Sequence, residues 1–214
     1  MNKFIFLLLV SFSGVLFAQN QDSSSVQTLM KSTNSNGGYG SLVLRYGTLN
    51  HRDAMFLGGR VAWLINHWIG LGLSGHGFVN EPSKNTILDP TGAIDYNING
   101  GYCGLLIQPL LAPRFPFHLS FPLTLGVGGI AYNRNIYDRW NDQYNFEVDS
   151  DVFLIAEQGI ELEINLIKYV RFSAGVHYRY TSHVQLVDES GKVPVKSDVF
   201  NGMSYGIGLT FGAF

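Results

Sequence analysis

The chain has 214 residues, which suits one domain, and its net charge of −2 gives no basis for nucleic-acid binding. Charged residues make up only 14%, against about 25% in ordinary soluble domains, and glycine accounts for 25 positions. A water-facing exterior is poorly supplied with charge here, and the single Cys103 excludes both an internal disulfide and a cysteine-based zinc cluster.

Residues 1–18 read as a secretory signal peptide. Lys3 supplies a positive charge, residues 4–17 form an apolar run, and the polar stretch Gln19-Asn20-Gln21-Asp22 follows Ala18. Cleavage is expected after Ala18, although Leu16 is larger than the residue usual at its position. No cysteine follows the run, so no lipoprotein signal is present. The run is shorter than the roughly 20 residues of a spanning helix, and no later segment approaches that length. Residues 19–38 are rich in Ser, Asn, Gln and Gly and are expected to be mobile.

Eight strand-like segments follow, at 39–49, 54–65, 69–80, 94–108, 118–132, 152–165, 170–186 and 203–214. Each alternates large apolar residues with small or charged ones. In the last, Tyr205, Ile207, Leu209 and Phe211 share one face, and Gly206, Gly208, Thr210 and Gly212 the other. A side-chain period of two marks strands with one apolar face. The connections alternate in length. Residues 66–68, 109–117 and 166–169 form compact turns; 50–53, 81–93, 133–151 and 187–202 lie at the other end, and three of those four are long and polar. That is the plan of an eight-stranded antiparallel up-and-down barrel.

The apolar faces could point inward around a ligand, as in a soluble lipocalin-like barrel, or outward to lipid. The opposite faces favour lipid. They carry Gly70, Gly72, Ser74 and His76 on the third segment, and His118, Ser120, Pro122, Thr124, Gly126 and Gly128 on the fifth. Such residues make a poor surface for bulk water but suit a narrow lumen. Strand charges lie on the same faces. Glu157, Glu161 and Glu163 accompany Gly159; Arg171, His177 and Arg179 accompany Ser173 and Gly175; Arg45 and Arg60 sit among Gly and Ser. Charge at the lipid midplane costs about 2–4 kcal/mol, so these eight residues are expected to form a lumenal ion-pair network. Glu163 is placed across from or diagonal to Arg171, and Glu157 near His177. The network reads as a polar plug that holds register, with a gate or proton path as the alternative. Trp63, Trp68, Phe117 and Tyr169 near the turns, and Tyr46, Tyr96, Tyr132, Tyr180 and Tyr205 near the opposite ends, form two candidate interface belts.

Signal peptide, eight alternating strands, short turns, long loops and a terminal Phe214 together resemble the small outer-membrane β-barrels of Gram-negative bacteria, the OmpA/OmpX-like group. The resemblance covers residues 39–214 and rests on pattern rather than on a motif. It implies export to the outer membrane, contact with outer-membrane lipid and lipopolysaccharide, and recognition of the C-terminal strand by the barrel-assembly machinery. Phe214 matches the terminal aromatic of such proteins, but its phase falls on the small face with Gly208, Thr210 and Gly212. No peptidoglycan-binding domain follows, so anchoring is not implied.

Some small outer-membrane barrels act on lipid A acyl chains, and the residues offer one candidate for a catalytic cluster. His118 and Ser120 share a face, without a third partner visible in the sequence. His51, His76 and His183 could approach one rim, and Asp138, Asp142, Glu147, Asp149 and Asp151 crowd one loop, but neither set has the spacing of a known metal site. The reading is a non-enzymatic outer-membrane barrel with a closed or narrow polar lumen, no cofactor and no metal, presenting extracellular loops to an unidentified partner. A narrow pore or conduit for small apolar molecules is the alternative; a lipid A-modifying enzyme is the third reading.

Overall fold

The computed structural model describes residues 36–49, 52–80, 87–89, 92–137, 143–184, 186 and 200–214. The segment read as a signal peptide lies outside them, as do His51, Asp138 and Asp142. The described residues form β1 (Gly37–Leu49), β2 (Arg52–Ile65), β3 (Ile69–Asn80), β4 (Ile87–Asp89), β5 (Gly92–Leu111), β6 (Phe117–Ser120), β7 (Leu123–Tyr137), β8 (Gln143–Ile167), β9 (Val170–Thr181) and β10 (Gly202–Ala213). All pairings are antiparallel.

The pairings close a ring. β1 pairs with β2 and β10, and the circuit continues through β3, β5, β7, β8 and β9. β6 and β7 are two parts of one stave, interrupted at Phe121 and Pro122, so the ring has eight staves. Pro122 lacks an N–H and cannot donate to Gly159 O of β8, which accepts from Gln158 Nε2 at 2.8 Å. Phe121 N donates to Pro109 O of β5 at 2.9 Å, and Gly159 N of β8 to Pro122 O at 2.7 Å. β4 stands outside the ring, in a hairpin with the start of β5.

Three departures from the sequence reading have simple causes. β1 begins at Gly37, two residues inside the segment read as mobile, because Gly37 and Gly38 pair with Leu64 and Trp63. Much of the stretch 133–151 is ladder rather than loop. β7 and β8 stay paired from Asn133–Glu147 out to Tyr137–Gln143, past a register shift after Tyr132, and polar composition concealed that continuation. β9 stops at Thr181, short of the expected 186; Thr181 N donates to Asn201 Oδ1 at 2.7 Å instead.

The connection between β2 and β3 shows why one end of the barrel is compact. Trp68 N donates to Ile65 O at 3.1 Å, and Asn66 and His67 both have positive φ, 54° and 64°. That is the primed turn whose twist matches a hairpin, and asparagine and histidine tolerate its left-handed backbone better than most residues. Gly38 pairs with both Trp63 and Ala213, so β1 starts and β10 ends at this same compact end.

The exterior is apolar around the ring. Leu42, Leu57, Val61, Leu73, Leu105, Leu154, Ile160, Ile207 and Phe211 all stand exposed, whereas Arg45, Arg60, Glu157, Glu161, Glu163, Arg171 and Arg179 are buried. This excludes the lipocalin-like arrangement, which needs charge outside. Trp63, Trp68, Phe117 and Tyr169 are exposed near the turns, and Tyr46, Tyr178, Tyr180 and Tyr205 towards the other end. Tyr132, expected in that second belt, packs instead against the buried apolar cluster inside the ring. Leu42 is 68% exposed and pairs with Leu209 and Gly59 midway along β1. Leu42→Arg is expected to cost about 2–4 kcal/mol in urea unfolding from phosphatidylcholine vesicles. A change under about 0.5 kcal/mol, as on an ordinary wet surface, would remove that face from lipid.

Candidate functional site: the filled lumen

The interior of the ring is built in layers along β8. Its glutamates occupy alternate positions and therefore project to one side, rising about 3.3 Å per residue from the turn end.

The first layer centres on Glu163. Gln108 Nε2 donates to its Oε1 at 2.7 Å, and His118 Nε2 lies 3.0 Å from its Oε2. Arg171 Nη1 approaches the same Oε2 at 3.5 Å, and Tyr39 donates its hydroxyl to Gln108 Oε1. Glu163 pairs in register with Ser173, and Asn165 with Arg171, so Glu163 and Arg171 are diagonal neighbours. A cavity of about 10 Å3 remains between Tyr39, Arg60, Gln108, Glu163 and Arg171, about the room of one water molecule.

Glu161 forms the second layer. Arg60 reaches it from β2 with two parallel bonds, Nη1 to Oε2 at 2.9 Å and Nη2 to Oε1 at 2.5 Å. Such a two-pronged guanidinium–carboxylate contact is both strong and directional. His177 Nε2 also meets Glu161 Oε1, at 2.7 Å.

Glu157 forms the third layer with Arg45 and Tyr102. Arg45 Nη1 donates to Oε1 at 2.5 Å, and the Tyr102 hydroxyl to Oε2 at 2.6 Å. His177 was expected near Glu157, and the register places it diagonal to that residue. His177 sits opposite Gly159, between the two carboxylates, and turns to Glu161. Glu157 is left to Arg45, which crosses from β1, with two strands between them around the ring.

Long side chains fit because glycines lie beneath them. A Cβ on Gly206 would stand 2.5 Å from Arg45 Cγ, and one on Gly159 would stand 2.7 Å from His177 Nε2. Contacts that short do not occur, so the arginine and histidine need bare backbone at those points.

Above Glu157 the lumen changes character, which sequence reasoning missed. Leu49, Phe56, Phe78, Ile98, Ile130, Phe153 and Ile155 point inward and are buried together. Phe200 enters from the connection before β10 and fills the centre. Its ring centroid lies 4.6 Å from that of Phe78, 4.8 Å from Phe153 and 5.9 Å from Tyr102. Val184 and Leu186, from the other end of that connection, are buried in the same cluster. Arg179 joins the two zones. Its guanidinium lies 4.1 Å from the Phe56 ring centroid and donates from Nε to Phe200 O at 3.4 Å. It has no carboxylate partner among the described residues; the faces of Phe56 and Phe200 serve in place of one.

The other sequence candidates come apart. His118 uses Nδ1 towards Phe115 O at 3.3 Å and Nε2 towards Glu163, and Ser120 Oγ is buried without a partner, so the two do not form a nucleophile–base pair. His76 is buried and stacks on Tyr102 at 5.2 Å, whereas His183 is exposed. Among the described residues no three His, Cys, Asp or Glu side chains are grouped to hold a metal ion. Phe214 follows its phase to the lumenal side, where its ring lies 3.6 Å from Arg171 Cζ; that contact accounts for its position.

Ring closure, an apolar exterior and a packed polar interior define an eight-stranded transmembrane β-barrel of the up-and-down type with a filled lumen. No helix among the described residues is long and apolar enough to cross a membrane. No protein-family model matches the sequence, and the search of curated proteins gave no significant match. Several solved structures are similar. The N-terminal β-barrel domain of Pseudomonas aeruginosa OprF is 12% identical, with 82% of this chain and 96% of that chain covered and a TM-score of 0.43. Ail, the attachment invasion locus protein of Yersinia pestis, in complex with the heparin analogue sucrose octasulfate, is 11% identical over 84% and 99%, with a TM-score of 0.45. Neisserial surface protein A is 11% identical over 82% and 96%, with a TM-score of 0.43. Likeness at this level transfers no ligand, partner or activity.

Proposed function

We propose that this chain is a non-enzymatic barrel of the Gram-negative outer membrane whose body is a closed support for its loops. After export and cleavage near Ala18 it would sit with the compact turns in the periplasm and the longer connections outside. Its lipid-facing band would meet outer-membrane lipid and lipopolysaccharide, and the assembly machinery would read the strand that ends at Phe214.

The observation that carries this reading is the fill of the lumen. Among the described residues, three carboxylate layers and an aromatic layer follow one another along the lumen. Breaking such pairs to pass a solute would leave buried charge unpaired, at about 3–5 kcal/mol for each pair opened. The layers serve register and rigidity; work on the environment is left to the loops.

Planar-bilayer recording tests this. The refolded chain is expected to insert, resist protease between its turns and give no steps of conductance in molar salt. Regular steps from the unaltered protein would establish a pore and end the closed-lumen reading.

A further inference from the structure

At the turn end, outside the lumenal layers, lies a pocket of about 340 Å3. Its lining includes His67, Arg114, Asn165, Lys168, Arg171 and Phe214. The basic groups reach it from separate pieces of chain. His67 comes from the primed turn after β2, Arg114 from the connection between β5 and β6, Lys168 from the turn after β8, and Arg171 from β9. Convergence of basic side chains from three different turns is not what strand alternation requires, since turn residues are free to point into water.

The balance of charge there is one-sided. No lining residue is an aspartate or glutamate. The nearest carboxylate in the network, Glu163, already serves Gln108, His118 and Arg171. Neither Arg114 nor Lys168 has an ion-pair partner among the described residues. Arg171, one of the lining residues, is 4% exposed, and its buried Nε has no hydrogen-bond partner. A buried guanidinium with an unused donor is costly unless something accepts from it. Asn165, also a lining residue, donates from Nδ2 to Phe115 O at 3.1 Å.

We propose that this pocket binds a phosphate group. Donors that converge from several directions suit a tetrahedral anion; a planar carboxylate is matched by a single guanidinium fork. Exposed Arg114 and Lys168 meet the group as it arrives, and Arg171 forms the floor. The space exceeds that of the bare anion, so an ester substituent fits. The phosphate can arrive on an anionic lipid headgroup or on a soluble phosphate.

The test uses the full refolded chain in neutral-detergent micelles, titrated with inorganic pyrophosphate by calorimetry. Saturable binding is expected. The double variant Arg114→Gln/Lys168→Gln is expected to bind at least about tenfold more weakly, a loss of one or two charge-assisted bonds. Its unfolding midpoint should be unchanged, because neither side chain belongs to the packed interior. Arg52→Gln, at the opposite end of the barrel, removes a positive charge and should leave binding intact. In phosphatidylcholine nanodiscs, added phosphatidic acid that lowers pyrophosphate affinity in the unaltered chain assigns the pocket to a lipid headgroup; retained affinity assigns it to a soluble phosphate. The proposal is overturned if the unaltered chain shows no saturable binding, if the double variant binds as well, or if Arg52→Gln weakens binding as much as the double change.

Discussion

Glu161→Ala is expected to destabilise the folded barrel by about 3–5 kcal/mol, read as a shift of the urea midpoint in lipid vesicles. Glu161 takes two bonds from Arg60 and one contact from His177, and all three side chains are buried. The cost is mostly that of stranding Arg60 in a place without water. For that reason Arg60→Met with Glu161→Met should cost clearly less than the two single changes summed, since neither charge is then left alone. Strict additivity would show that the pair does not act as a unit. The Arg171–Glu163 pair should couple more weakly. Its contact is 3.5 Å, and Glu163 keeps Gln108 and His118 when the arginine is removed.

Phe200→Ala should be comparably severe, about 3–5 kcal/mol, because a fully buried ring is lost from the centre of the aromatic layer. Arg179 would also lose one of the two ring faces that neighbour its charge. Phe200→Leu keeps apolar volume and is expected to recover most of the loss, leaving under about 1.5 kcal/mol. Equal loss in both variants would mean that the ring's interaction with the cation, rather than its volume, holds the layer. An alanine variant as stable as the unaltered chain would show that Phe200 does not seat in the mouth.

The strands were readable because alternation is strongest where one face meets lipid and the other carries glycine or charge. β3 and β10 are examples, with Leu71, Leu73, Ile207 and Leu209 outside and Gly70, Ser74, Gly206 and Gly208 within. The lumenal face of the eight charged residues could be read for the same reason. Their partners could not. Register fixes which residues of adjacent strands meet, but Arg45 and Glu157 belong to staves that are not adjacent. Which cation spans to which anion depends on the curvature of the whole ring. The aromatic layer was hidden by a loss of contrast. Met55, Phe56 and Leu57 are consecutive apolar residues, and so are Phe78 and Val79, yet Phe56 and Phe78 face inward while their neighbours face out. Where both faces are apolar, a period of two carries no signal. β4 was missed because three residues are too few to show any period.

Arg45 and Glu157 are separated by 112 positions in the chain, and Arg60 and Glu161 by 101. Hairpins such as β2–β3 can zip locally and early, whereas these pairs must wait until β1 has met β10. They therefore act at the moment of closure, as an inspection of the finished seam. If β10 joined β1 one residue out of step, every side chain of the incoming edge would change faces. Ser204, Gly206 and Gly208 would be turned to lipid, and Tyr205, Ile207 and Leu209 would be driven against Arg45 and its partners. A wrong closure would crush the interior while exposing bare backbone outside. The glycines and arginines that fill the finished tube thus also police its assembly, admitting one seam and rejecting its neighbours.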